Sequence, residues 1–135
     1  MKSVIRVQDK YGRGMFQYGN HDLMRTAGIY DIPSLQNLAD RHLHFPNLWN
    51  DSTLVKFLED KLGYDFEASK LDYRFAFKNI DQFEQWVLRE EIALLNEYGY
   101  RVYRIETDEF VESDFQVLFN VNSIKSVTDI TDLFL

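Results

Sequence analysis

Three basic side chains, Arg6, Lys10 and Arg13, stand close together in VIRVQDKYGRGMFQ, residues 4–17, beside Gly12 and Gly14. A guanidinium next to glycines, where backbone can approach closely, suits bidentate recognition of a phosphate or a carboxylate. Arg6, Gly12, Arg13 and Gly14 are therefore the candidate ligand-binding residues. The competing reading is structural. Arginine is mostly a surface residue, and Arg6, which shares strand parity with Val4, would then lie on an exposed sheet face, solvated or paired with an acidic neighbour. Gly12-Arg13-Gly14 is too short for a Walker loop or a dinucleotide fingerprint, both of which require more glycines and a following helix.

Carboxylates form the second group. Glu106, Asp108, Glu109, Glu112 and Asp114 crowd one short stretch, and Glu90-Glu91 lie nearby in sequence. A solvated acidic face is the ordinary reading; a surface steered toward a basic partner protein is the sharper one, and it makes the first five the candidate partner-binding residues. His42 and His44 flank Leu43 and would share a face in an extended segment, but neither His21-Asp22 nor Asp51 supplies a third ligand by spacing, so no metal site is expected. There is no cysteine, which removes disulfides, thiolate zinc sites and cysteine nucleophiles. No serine has a convincing base and neither G-x-S-x-G nor H-E-x-x-H occurs, so no catalytic residue is assigned.

The formal charge is −7, unevenly spread. Residues 1–48 hold six Lys or Arg against four Asp or Glu, and residues 49–135 hold nine against eighteen. An acidic chain is a poor binder of nucleic-acid backbone, whose affinity comes from Lys and Arg replacing counterions, so direct nucleic-acid binding is not expected. Charges interrupt every apolar run near the N-terminus and no stretch approaches a membrane span, so a soluble, cytoplasmic protein without membrane partners is expected.

The elements that must position these residues follow from periodicity. With 135 residues, eleven Phe, eight Tyr and two Trp, one globular domain over 1–135 has ample core material. Ser3–Asp9 alternates as a strand, 11–14 turns, and Met15–Tyr18 returns. A long loop leads to a short helix capped by Ser34, and a second helix runs from Ser52 to Gly63 with Leu54, Phe57, Leu58 and Leu62 on one face. Tyr73–Lys78 reads as a strand with Tyr73, Phe75 and Phe77 turned to the core. One long helix follows, capped by Asp81 with Glu84 three residues on, and closed by Gly99. Tyr100–Glu106 and Phe115–Val121 are strands joined by an acidic hairpin tip over 107–114, and Ser126 begins a last short helix. The fold class is α+β: a twisted, mainly antiparallel sheet with one long helix and two or three short helices.

Taken together, RVQDKYGRGMF, HFPNLWND, FAFKNIDQFEQWV, GYRVYRIE and FQVLF resemble a family of small uncharacterised bacteriophage proteins. That resemblance implies a phage accessory protein that binds a host or defence protein and inhibits or redirects it, in the host cytoplasm. The layout also resembles a compact ADP-ribosyltransferase, with Arg6 on the first strand and an aromatic strand feeding a helix. This second resemblance implies NAD as ligand; where the family's late strand carries a catalytic Glu, this sequence has Gln116.

Overall fold

The computed structural model describes residues 2–15, 33–42, 51–63 and 72–135. Strand β1 is Lys2–Gln8, and a 3-10 turn at Pro33–Leu35 opens helix α1, Gln36–His42. Helix α2 spans Ser52–Leu62 and strand β2 Tyr73–Ala76. Helices α3, Ile80–Trp86, and α4, Arg89–Glu97, precede four strands: β3, Arg101–Thr107; β4, Phe110–Glu112; β5, Val117–Asn120; and β6, Ile124–Asp129. The α+β class holds, and every strand pairing among the described residues is antiparallel. The returning strand expected over 15–18 lies almost wholly outside the described residues, as do the loop after it, His21, Asp22 and His44. Beside them, Gly14 pairs with Gln8 in a single bridge.

Among the described residues the strands form two three-stranded sheets, ordered β1-β3-β6 and β2-β5-β4, rather than the single sheet expected from the sequence. They meet at one bridge, where Ile5 and Phe77 exchange backbone hydrogen bonds of 2.7 Å. Between the sheets Val4 and Ile105 pack on Ala76, Val117 and Phe119. The outer face of the first sheet packs Ile5, Val7 and Val102 against Leu35, Leu38, Phe83, Trp86, Ile92 and Leu95 of the helices. The second sheet's outer face packs Tyr73 and Leu118 against Leu54 and Leu58 of α2. Strand β1 is thus covered on both faces, and Val4, Ile5, Arg6 and Val7 are all buried. This corrects the expectation of an exposed face: Arg6 does share parity with Val4, but that parity points between the sheets.

The long helix expected over 81–99 is two helices. Asn79, not Asp81, caps α3 by accepting from the Gln82 amide at 2.8 Å. Val87 and Leu88 are extended. No glycine or proline forces the break; a distant arginine stabilises it. Arg41 donates to the Trp86 carbonyl, the end of α3, at 2.8 Å and makes a two-pronged pair with Glu91 at 2.8 and 3.1 Å. Glu91 in turn accepts from the Leu88 amide at 2.8 Å, satisfying the start of α4.

Three further expectations are corrected. Ser126 lies in β6, not in a helix, and only a 3-10 turn at Thr131–Leu133 follows. The acidic tip placed over 107–114 contains β4. The aromatic strand does not bury all three rings, since Tyr73 and Phe77 are buried but Phe75 is exposed. Helix α2 matches its expected span, with Gly63 at φ +94° closing it. Among the described residues no helix is long and apolar enough to cross a membrane.

Candidate functional site

Arg6 is only 7 % exposed, and its donors face protein acceptors. Nη1 donates to the Phe75 carbonyl at 2.5 Å, Nη2 to the Gly12 carbonyl at 3.2 Å and Nε to Gln8 Oε1 at 3.0 Å. The guanidinium sits over the Phe119 ring, 6.0 Å from its centroid. Continuing the Ile5–Phe77 pairing by two residues would bring Val7 to Phe75; β1 and β2 diverge instead, and the Arg6 side chain reaches across to Phe75. Burial, reinforced by Arg74 and opposed by Asp9, lowers its pKa to about 10.

The turn beyond is held by Asp9. Its Oδ1 accepts from the amides of Tyr11 and Arg13, both at 2.9 Å, and its Oδ2 from Arg13 Nε at 2.8 Å. Gly12 adopts φ +80°, which a side chain would strain. Gly14 is needed for space: a Cβ there would lie 3.3 Å from Arg6 Nη2. Lys10 and Arg13 stand 5.0 and 4.7 Å from the centre of the Tyr11 ring, which is exposed. Arg6, Gly12, Arg13 and Gly14 are therefore brought together, but as one interlocked turn. The arrangement lends no support to a nucleotide or NAD site there.

The five acidic candidates are dispersed. Glu109 joins α2 to the second sheet: its Oε1 accepts from Lys61 Nζ and, at 2.7 Å, from the Tyr73 hydroxyl, and its Oε2 accepts from Asn120 at 3.4 Å. The Lys61 hydrogen bond, then that from Tyr73, holds the Glu109 carboxyl below the usual range. Asp108 pairs with Lys125 at 3.3 Å on the surface, and Glu106 is half-buried opposite Ser3 and Ser126. Glu112 and Asp114 are exposed, the first ending β4 and the second within the turn between β4 and β5.

That turn has the features of a contact site. Ser113 and Gln116 close it through an amide-to-carbonyl bond of 2.9 Å, leaving Asp114 and Phe115 at the tip. The Phe115 side chain is turned out, 42 % exposed, although it shares strand parity with the buried Val117 and Phe119. Beneath it the backbone is fixed by buried polar groups. Trp86 Nε1 donates to the Phe115 carbonyl at 3.1 Å and Gln82 Nε2 to the Asp114 carbonyl at 3.5 Å. The Ser113 hydroxyl accepts from the Phe115 amide at 3.3 Å and donates to Asp51 Oδ2 at 2.6 Å, which also accepts from Gln116 at 3.2 Å. Asp51, Gln82 and Gln116 are all buried. The arrangement is a hydrogen-bonded turn that presents an exposed aromatic ring just after two exposed carboxylates. Sequence reasoning passed over Phe115; Ser113-Asp114 ahead of it, two turn-forming residues, was the available signal.

Over residues 1–132 the chain matches the sequence model of a protein family described as Bacteriophage T4 Y00F protein. No curated protein and no solved structure matches it.

Proposed function

The chain belongs to the Bacteriophage T4 Y00F protein family, and from that premise we propose that it is a phage accessory protein, working in the host cytoplasm by binding a host or defence protein and inhibiting or redirecting it. The observation that carries this reading is Phe115, an exposed ring on a backbone pinned by Trp86, Ser113 and Gln82. Interfaces draw most of their affinity from a few aromatic or arginine anchors, and an anchor whose backbone is already held loses less entropy on binding. Glu112 and Asp114, both exposed and just ahead of it in the chain, favour a partner pocket with a basic rim.

Capture from host lysate by the wild-type chain, Phe115→Ala, and Glu112→Lys/Asp114→Lys tests this. Phe115→Ala should weaken capture of the partner by about 30-fold, the effect of losing a strong anchor, with an unchanged melting temperature. The double charge reversal should slow association and make the remaining binding less salt-sensitive. Equal capture by all three chains would overturn the assignment of this surface.

A further inference from the structure

We infer that β6 pairs edge to edge with β6 of a second copy of this chain, forming a two-fold dimer. Strand β6 ends its sheet, and among the described residues no strand pairs with its outer edge. An antiparallel strand directs alternate backbone N–H and C=O groups to opposite neighbours, so half of those in β6 point away from β3, available to another chain. Its last three residues, Val127, Thr128 and Asp129, are exposed, Val127 at 48 %.

The occupant is read from the residues themselves. From Ile124 to Ile130 the sequence is Ile-Lys-Ser-Val-Thr-Asp-Ile, which reads alike from both ends in size and polarity, with charge inverted. An antiparallel pairing about a two-fold axis at Val127 sets Val127 against Val127, Ser126 against Thr128, and Lys125 against Asp129 of the second copy, twice by symmetry. Apolar, hydroxyl and opposite-charge pairs are the cross-strand combinations that stabilise such ladders, and a two-fold contact must be self-complementary in this way. Within the chain Lys125 pairs with Asp108 and Asp129 with Arg101, both at the surface, where such pairs are weak and can be shared. The register between β3 and β6 shifts so that Lys125 is an extra residue with no partner in β3. This bulge limits the continuous ladder to Ser126–Asp129 and leaves Lys125 to reach across by its long side chain. The contact is far from the size of an obligate interface, so the dimer is weak.

Sedimentation equilibrium of the full chain up to about 1 mM reads it directly. The wild type should show a reversible monomer–dimer equilibrium. Val127→Lys, which sets two ammonium groups against each other at the axis, and Lys125→Asp, which opposes Asp129 with a like charge, should each raise the dissociation constant about tenfold or more. Both sites are exposed, and an unchanged melting temperature at low concentration confirms the fold. A wild-type chain monomeric throughout the range, or a dimer indifferent to both substitutions, would overturn the inference.

Discussion

Arg6 shows what a buried cation does where, among the described residues, it has no direct carboxylate partner. It donates to two backbone carbonyls and one side-chain amide, and so adds a link between β1, the Asp9 turn and β2 beside the Ile5–Phe77 and Gln8–Gly14 bridges. Truncating it to Ala would leave the carbonyls of Phe75 and Gly12 without those donors. The expected cost is about 2–4 kcal/mol from unsatisfied groups and lost packing; Arg6→Lys should recover little, because one ammonium cannot span three acceptors in the guanidinium's fork. Gly14→Ala should cost about 1 kcal/mol by pressing a Cβ on the pinned guanidinium. Denaturant unfolding of the single and double variants checks both: the Gly14→Ala cost should vanish in the Arg6→Ala background, and an undiminished cost would mean that the glycine is needed for another reason.

At the scale of elements, α2 is fastened to the second sheet near both ends. Asp51 holds Ser113 and Gln116 at one end, and Lys61 holds Glu109 at the other. The Glu109 carboxyl is depressed in the folded state, so its contribution is complete above the ordinary carboxylate value, 4.5, and is lost as pH falls through the lower folded value. Melting temperature followed from about pH 7 to 2 should therefore show wild type ahead of Glu109→Gln at neutral pH and the two converging in acid. The pair is more than a third exposed, so screening keeps the difference small and high salt should shrink it further. Parallel curves at all pH values would show that the Glu109 charge contributes nothing. Helix α2 was legible in the sequence because its apolar spacing, its start at Ser52 and its closing glycine all agree. The division of the 80–99 segment was not, since the donor that ends α3 is Arg41, forty-five residues earlier.

Across the whole molecule, Phe119 lies where the sheets meet, packed with Val4 and Ile105 and beneath Arg6. Phe119→Ala should cost about 3–5 kcal/mol in denaturant unfolding, as for other fully buried aromatics, and a cost under about 1 kcal/mol would place the core elsewhere. The sequence by itself determined which segments are apolar enough to become β1, α2, β3 and β5, where Gly12 and Gly63 must turn the chain, and that the fold is α+β. Those features depend on neighbours within one or two turns, which periodicity records. The tertiary structure decided which face of each strand is covered. A second sheet over β1 buries Arg6 on the very side that alternation marks as polar, and two helices stand where one was expected because Arg41 completes their ends. Phe115, whose alternation points inward, is turned out by a hairpin tip held from Trp86, twenty-nine residues away. Burial is a property of what lies opposite a residue, and the strand's own period carries no information about that.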